Sequence, residues 1–295
     1  MGTWIKRIGL FLLTNILVIA LITVITSVFG LDTQYLTPNG INLQSLAVFS
    51  LIWGMAGSLA SLFLSKWMAK RAFKIQIIKN PVTNHERIVF NTVQKIAQSN
   101  GIKMPEVGIF NSLTPNAFAT GATKNSSLVA VSTGLLEAMD QDEIEAVVGH
   151  EMAHILNGDM VTMTLLQGVM NAFVIFFARV IAHIISNAVS DRDGGLGRFA
   201  EFGIIMVLQI VLGLLASLVV NAFSRHREFK ADAGSAKYLG RNKMIKALQK
   251  LQSFKANGPM AKNKNFATMA ISGSVKSWFS THPPLEKRIE ALKNF

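Results

Sequence analysis

The segment His150-Glu151-Met152-Ala153-His154 determines how the rest of the chain is interpreted. Residues four apart in a helix lie on one face, one turn apart, so the imidazoles of His150 and His154 can approach the same point. Two histidines at this spacing, with a glutamate directly after the first, are typical of a catalytic zinc site in which the glutamate is the general base. We therefore predict that His150 and His154 bind one Zn²⁺ and that Glu151 is the catalytic base.

The residues around this motif predict the helix that the spacing requires. Asp140 precedes Glu143 by three residues, which is the arrangement of a capping box at a helix start. Apolar residues then recur at helical spacing at Ile144, Val147, Val148 and Ile155. Asn157-Gly158 predicts the end of the helix, because glycine commonly ends helices in the left-handed conformation. The predicted helix runs from about Gln141 to Leu156.

The composition points to a membrane protein. Half of the 295 residues are hydrophobic and 16% are charged, which is too apolar for an ordinary soluble enzyme. The chain contains no cysteine, which excludes disulfides and a cysteine-ligated zinc site. The formal net charge of +12 would suit either nucleic acid or anionic lipid. Because the basic residues cluster beside apolar segments, without any nucleic-acid-binding motif, we expect contact with the lipid bilayer and no nucleic acid.

Four apolar segments are candidates for crossing the bilayer, and the first two form a pair. Gly9–Leu31 and Ile41–Ser65 contain no charged residue and are long enough to span. Basic residues flank the pair, whereas the connector Asp32–Gly40 contains no lysine or arginine. Because cytoplasmic loops carry an excess of these residues, we expect the segment after Ser65 to face the cytoplasm and the connector to face outward. A signal peptide is the alternative for the first segment, but its apolar run is too long.

The second pair of apolar segments is less regular. Met160–Ser186 contains Arg179 and His183, which are costly in lipid unless they are paired or face protein or water. Phe202–Ser224 contains no charge, and the connector 191–198 between the two segments is polar and of mixed charge, as an outward loop would be. A hairpin partly buried in the catalytic domain is the alternative to full spanning.

The remaining chain predicts a mainly helical catalytic domain with a small β-sheet, so the fold class is an α+β membrane protein with about four transmembrane helices. We divide the chain into a transmembrane hairpin 1–72, a first catalytic part 73–159, a second hairpin 160–224 and a second catalytic part 225–295. The predicted strands are Glu106–Phe110, Ala117–Thr120 and Leu128–Ser132. The predicted helices besides the one described above are His85–Ser99, Phe229–Tyr238, Met244–Phe254 and Pro284–Leu292.

Two histidines do not complete a catalytic zinc site, which has three protein ligands and an open position for water. Glu228 and Asp232 stand four residues apart and would share one face of a helix. One acid of such a pair can bind the metal while the other orients a ligand histidine. A solvated acidic pair is the alternative, but with the histidine motif upstream we predict Glu228 as the third ligand.

These motifs together resemble the HtpX family of membrane zinc metalloproteases, relatives of the CAAX prenyl endopeptidases. The resemblance covers nearly the whole chain, including both apolar pairs. The residues that carry it are His150-Glu151-x-x-His154, Glu228-x-x-Ala231-Asp232, Asn116-Ala117-Phe118-Ala119 and His282-Pro283-Pro284. It implies a gluzincin-type zinc endopeptidase that crosses the bacterial inner membrane several times, with its catalytic domain facing the cytoplasm.

The resemblance also assigns individual residues. It implies one zinc ion per chain, bound by His150, His154 and Glu228. It further implies that Asp232 orients a ligand histidine and that Asn116-Ala117-Phe118-Ala119 is an edge strand that binds extended substrate by main-chain pairing. We expect His282 close to the zinc, in contact with substrate or the oxyanion. A surface or capping histidine is the alternative for this residue.

The expected function is therefore a zinc metalloendopeptidase that cleaves misfolded or damaged membrane proteins in quality control. The alternative is a non-catalytic membrane scaffold or chaperone whose fold a metal stabilises. Glu151 favours the protease, because a structural zinc site needs no general base. The other three histidines, His85, His183 and His226, are expected to be surface or structural residues.

Overall fold

The computed structural model describes residues 36–37, 40–193, 198–257 and 280–295. The predicted first apolar segment, Gly9–Leu31, and most of the connector after it lie outside the described residues. The described part is mostly helical with a small mixed sheet, which confirms the predicted α+β class. Its helices are α1 Leu43–Ala72, α2 Asn84–Ser99, α3 Thr133–Ala138, α4 Gln141–Asn157, α5 Asp159–Asp193, α6 Arg198–Leu239, α7 Arg241–Asn257 and α8 Leu285–Lys293. Its strands are β1 Leu36–Thr37, β2 Gly40–Ile41, β3 Gln76–Ile77, β4 Glu106–Phe110, β5 Ala117–Thr123 and β6 Ser126–Ser132.

Three described helices, α1, α5 and α6, are long and apolar enough to cross a membrane. They contain the predicted segments Ile41–Ser65, Met160–Ser186 and Phe202–Ser224 almost completely and extend beyond each of them. Helix α6 continues past Ser224 without a break to Leu239, so that the helix predicted at Phe229–Tyr238 is part of it and not a separate element. The residues that follow Ser224 are mostly strong helix formers, so nothing in them ends the helix.

The chain divides into two compact units. The described helical parts of the first unit come from residues 43–55, 169–193 and 198–216. In this unit, Phe49 packs near Phe176, and the Arg179 guanidinium lies 5.1 Å from the centre of the Phe49 ring. Arg179 Nη1 also donates to the carbonyl of Ile175 at 3.3 Å. The cationic side chain therefore has protein partners, as expected for a charge within an apolar helix.

The second unit contains a four-stranded sheet with the order β3-β4-β6-β5. Strands β4 and β6 are parallel, whereas the pairs β3–β4 and β5–β6 are antiparallel. The edge position of β5 leaves one side of this strand outside the sheet's own pairing. Helices α2, α4, α7 and α8 contribute to one apolar core with the sheet, which includes Val93, Val131, Met152, Leu248 and Ile289.

Helix α4 begins and ends as the sequence predicts. The backbone N–H of Glu143 donates to Asp140 Oδ1 at 3.1 Å, and the backbone N–H of Asp140 donates to Glu143 Oε2 at 3.0 Å. This reciprocal pair is the predicted capping box. At the other end, Gly158 has a φ of 70° and lies in the left-handed region that favours glycine. The caps fix the length of the helix that carries the histidine motif.

Candidate active site

Helices α4 and α6 approach each other closely because two glycines remove side chains from their contact. A Cβ atom at Gly149 would lie 2.8 Å from Ser235 Oγ, and one at Gly234 would lie 2.6 Å from Ala153 Cβ. Ser235 Oγ also donates a 2.7 Å hydrogen bond to the carbonyl of Ala146 across the same contact. This packing brings the histidines of α4 against the acidic residues of α6.

The predicted ligands His150, His154 and Glu228 meet in one group, and their ligand atoms all lie within 4.8 Å of one another. The two histidine Nε2 atoms are 3.1 Å apart. Each Nε2 atom lies 3.5 Å from an oxygen of Glu228. Tetrahedral zinc with bonds of about 2.0–2.1 Å separates its ligand atoms by roughly 3.3 Å. The distances and the donor types therefore fit one metal ion of this kind.

Each histidine of this group contacts a carboxylate through its other ring nitrogen. His150 Nδ1 lies 2.9 Å from Asp232 Oδ1, and His154 Nδ1 lies 2.6 Å from Asp159 Oδ2. An Nδ1–H donated to a carboxylate leaves the Nε2 lone pair available to a metal. Asp232 therefore lies where the resemblance implies. Asp159 was not predicted from the sequence, and the signal that could have identified it is its position directly after the helix-ending Gly158.

The carboxylates change the protonation behaviour of both histidines. Burial lowers the pKa of His154, but the contacts with Asp159 and Glu228 outweigh burial and raise this pKa to about 9. Burial also lowers the pKa of His150, and Asp232 and Glu228 likewise outweigh it, so that this pKa is raised. The carboxylates therefore favour a positive charge between them. A divalent metal would supply this charge while both imidazoles stay neutral.

Arg288 of α8 connects the acidic residues of α6. Its Nε and Nη2 atoms donate to the two carboxylate oxygens of Asp232 at 2.7 and 2.6 Å, and its Nη1 atom lies 3.2 Å from Glu228 Oε2. Burial lowers the pKa of Arg288, but Asp232 outweighs it and raises the pKa. The sequence signal for this residue was a charge within the apolar face of the last helix, between Leu285 and Ile289.

His282 lies beside the predicted metal ligands. Its Nδ1 atom is 2.8 Å from Glu228 Oε2, while 62% of its side chain remains exposed. The imidazole is thus within direct reach of the ligand carboxylate and open to solvent at the same time. Its contact with substrate or oxyanion stays a prediction.

A cavity of about 270 Å³ opens beside the group, and Glu151, His150, Glu228 and His282 are among the residues that line it. The predicted base therefore shares one space with the predicted ligands. Glu151 follows His150 directly in α4, so the helix fixes the position of the base relative to the ligand.

The four predicted substrate-binding residues divide between two environments. Asn116 and Ala117 line the cavity, and Ala117 begins the edge strand β5. Phe118 instead packs against Phe73 and Phe110, with ring centres 5.3 and 5.6 Å away. Ala119 is half-buried against the apolar core. Substrate pairing along this strand stays a prediction.

The remaining histidines of the described residues, His85, His183 and His226, are not members of this group. His85 and His226 are exposed, near the start of α2 and within α6 respectively. His183 contacts the side-chain amide of Asn187 at 3.1 Å, one turn further along α5. These positions agree with the surface or structural roles expected from the sequence.

A chain with several apolar helices and an H-E-x-x-H helix, whose histidines meet a glutamate from a second helix, has the architecture of a membrane metalloprotease. Residues 84–295 match Peptidase family M48, and the chain belongs to this family. The family implies a bound metal, and His150, His154 and Glu228 form a group that can hold one.

Individual relatives agree with this assignment. Protease HtpX of Pseudoalteromonas atlantica is 50% identical over 291 residues, which cover 97% of this chain and 99% of the relative. The Protease HtpX homolog of Verminephrobacter eiseniae is 50% identical over 295 residues, covering 98% of both chains. The crystal structure of S. mikatae Ste24p superposes with a TM-score of 0.65 at 20% identity. This likeness, which concerns the fold alone, covers 98% of this chain and 65% of the Ste24p chain. The protein is thus a membrane metalloprotease.

Proposed function

We propose that the protein is a zinc endopeptidase that hydrolyses unfolded or damaged membrane proteins at the cytoplasmic face of the bacterial inner membrane. The observation that carries the proposal is the meeting of His150, His154 and Glu228 beside a cavity that Glu151 also lines. The HtpX proteases, which are 50% identical over nearly the whole chain, support it.

The proposed reaction assigns separate tasks to the residues around the cavity. When bound, zinc supplies Lewis-acid chemistry, which polarises the scissile carbonyl and lowers the pKa of water. Glu151 accepts a proton from the attacking water and then delivers it to the leaving amine. Asn116 and Ala117 orient the substrate backbone at the end of β5. His282 donates a hydrogen bond to the developing oxyanion.

The position of the site in the chain supports the proposed substrate class. Helix α4, which carries the histidines, is followed directly by the apolar helix α5, and Glu228 lies on the apolar helix α6. Capture by main-chain pairing at an edge strand makes little demand on sequence but requires an extended segment. Unfolded stretches of membrane proteins are extended, and they lie close to the membrane helices that carry the site.

The test compares purified full-length protein, loaded with zinc in detergent, with its Glu151→Gln variant on unfolded casein. We expect the variant to retain about one zinc per chain and to lose cleavage, because the base is not a ligand. Glu145→Gln is the matched control, since it makes the same change on α4 outside the cavity. Chelation of zinc should abolish cleavage and re-addition should restore it. Full proteolysis by Glu151→Gln would refute the proposed mechanism.

A further inference from the structure

We propose that the end of helix α1 binds the headgroup of an anionic phospholipid, with Arg71 and Lys74 as the cations that bind the phosphate and Trp67 as the aromatic anchor. The site is separate from the metal group and its cavity, and the inference does not depend on the proposed endopeptidase function. Three features support it: the order of side chains along α1, the cations that have no carboxylate partner, and the backbone conformation of Lys74.

One row of exposed side chains on α1 changes from apolar to cationic toward the helix end. Phe63, Trp67 and Arg71 are spaced four residues apart, so they lie along one face of the helix. Phe63 is 69% exposed and Trp67 is 58% exposed. At ~1.5 Å per residue, each step along the row is ~6 Å, which is close to the thickness of the headgroup region on one side of a bilayer. The row therefore matches the change from hydrocarbon to headgroups, with tryptophan at the interface where it is enriched.

The neighbouring row of α1 contacts the protein instead. Leu62 is buried, and four residues further along Lys66 lies 2.9 Å from Glu106 Oε1. Lys70, after another four residues, contacts the second oxygen of the same carboxylate. These two lysines therefore have a carboxylate partner, and they join the last turns of α1 to strand β4. A lipid bound to the first row is consequently held beside the part of α1 that is fixed to the sheet.

Arg71 and Lys74 are left without a carboxylate at this end of the helix. Both are exposed, and within the part of the chain that the structure describes neither forms an ion pair. The Arg71 guanidinium lies 5.3 Å from the centre of the Trp67 ring, which is the distance of a cation–π contact. This contact uses the face of the guanidinium, whereas the N–H donors at its edge can bind a phosphate through two parallel hydrogen bonds.

Lys74 adopts a backbone conformation that lysine rarely takes. Its φ is 49°, and it is the only residue other than glycine with a positive φ in the described ranges. Directly after α1, the N–H of Ile75 donates to the carbonyl of Lys70 at 3.1 Å. The N–H of Lys74 itself donates to the carbonyl of Arg71 at 3.4 Å. Helices that end with these two bonds usually have glycine at this position. A lysine here lowers stability, which is expected where the side chain binds a ligand.

The charge of the site selects the class of lipid. A zwitterionic headgroup contains its own ammonium group beside the phosphate, whereas the headgroup of phosphatidylglycerol has a net negative charge. Two cations without carboxylate partners therefore favour the anionic lipid, by ~5-fold for each cation near the surface. Free inorganic phosphate has the same chemistry but no acyl chain that could contact Trp67 and Phe63. This favours a phospholipid as the source of the phosphate.

The first experiment measures the lipid preference at Trp67. The chain has four tryptophans, and replacement of Trp4, Trp53 and Trp278 by Phe leaves Trp67 as the only one. This full-length protein is reconstituted in bilayers of phosphatidylcholine and phosphatidylglycerol, one of which carries brominated acyl chains that quench a neighbouring tryptophan. The extent of quenching gives the relative binding of the two lipids. We expect phosphatidylglycerol to be preferred by ~10-fold or more.

The second experiment removes the cations one at a time. Arg71→Gln should lower the preference about 5-fold. Arg87→Gln is the matched control, because it removes the same charge from an exposed position on α2 and should keep the wild-type preference. Lys74→Gly also tests the backbone conformation. Since glycine adopts a positive φ freely, this variant should unfold at a higher temperature in detergent than the wild type and still lose about 5-fold of the preference.

Several outcomes would overturn the lipid site. An equal loss in Arg87→Gln and Arg71→Gln would mean that only net charge matters. A Lys74→Gly protein that keeps the wild-type preference would give Lys74 no part in binding. Loss of the preference in inorganic phosphate, compared with chloride at equal ionic strength, would identify a free anion as the ligand. If the single-tryptophan protein does not fold, native mass spectrometry of the wild type and its variants counts bound phosphatidylglycerol instead. These measurements involve no peptide cleavage, so failure of the lipid site leaves the proposed function unaffected.

Discussion

At the scale of single residues, the site contains two histidines, and the Nδ1 atom of each contacts the carboxylate of an aspartate. Asp232 holds His150 and Asp159 holds His154, at 2.9 and 2.6 Å. The acids differ in their own partners. Asp232 has two hydrogen bonds from the buried Arg288, whereas Asp159 lies 3.7 Å from Arg227. This difference predicts unequal consequences when either acid is neutralised.

We predict that Asp159→Asn weakens zinc binding by ~10–100-fold, because loss of the charged acceptor loosens the orientation of His154. Asp232→Asn should weaken it at least as much, since it also leaves the buried Arg288 without its main counter-ion. The measurement is zinc affinity of the purified variants by competition with a chelator. Asp142→Asn is the control, because it neutralises a half-exposed acid of α4 that pairs with Lys243 at 2.8 Å. Wild-type affinity in Asp159→Asn would assign that residue to a structural contact only.

His282→Ala should lower turnover by ~10²–10³-fold while zinc content stays near one per chain. The imidazole reaches Glu228 at 2.8 Å and is still largely exposed, so it can meet a bound substrate without being required as a ligand. A hydrogen-bond donor at the oxyanion is typically worth this factor. Turnover and zinc content are measured on the same sample, with the exposed His226→Ala as the control. Normal turnover would exclude a catalytic contact.

At the scale of secondary-structure elements, the contact between α4 and α6 decides whether the ligands meet. We predict that Gly234→Ala destabilises the protein by about 1–3 kcal/mol and weakens zinc binding, because the new methyl group would lie 2.6 Å from Ala153 Cβ and force the helices apart. The measurements are thermal unfolding in detergent, with and without zinc, and zinc affinity.

Gly213→Ala provides the control for this change. Gly213 is also in α6, and a Cβ atom there would meet nothing within 4 Å. Since alanine favours a helix over glycine by about 0.5–1 kcal/mol, the control should be neutral or stabilised. Equal behaviour of Gly213→Ala and Gly234→Ala would mean that the close approach of the two helices is not required.

The elements also show which features a sequence can predict. The capping box of Asp140 and the stop at Gly158 depend on neighbouring residues, so both were predictable and both are confirmed. The continuity of α6 from the apolar segment Phe202–Ser224 through Glu228 was not predicted, because nothing in the sequence shows whether an apolar stretch and the polar stretch after it share one helix. Arg288 was missed because its partner Asp232 lies 56 residues away, and only folding brings α8 to α6.

At the scale of the whole molecule, the apolar helices α5 and α6 also carry residues of the site, Asp159 and Glu228 respectively. Helix α5 has 35 residues and α6 has 42, and at ~1.5 Å per residue each exceeds the ~30 Å hydrocarbon core of a bilayer. The composition was sufficient to predict a membrane protein, because the fraction of apolar residues can be counted without knowledge of the fold. It did not predict how α5 and α6 extend beyond their apolar segments, since those ends are polar.

The last prediction concerns the orientation of the protein in the membrane. Helix α1 ends with Lys70 and Arg71, and Lys66 pairs with Glu106 of the sheet at 2.9 Å. The basic end of α1 is therefore joined to the unit that carries the site, and an excess of basic residues marks the cytoplasmic side. We predict that the unit with the sheet and the site faces the cytoplasm and that Thr37 faces outward.

Single cysteines test this orientation directly, because the chain contains none of its own. In intact cells, an impermeant thiol reagent should label Thr37→Cys and should leave Asn80→Cys unlabelled. After the cells are opened, the exposed position 80 should become labelled as well, which controls for its reactivity. Labelling of Asn80→Cys in intact cells would reverse the topology. Extended substrates would then have to reach Glu151 from the outer side, and the proposed cleavage of membrane proteins in the cytoplasm would no longer hold.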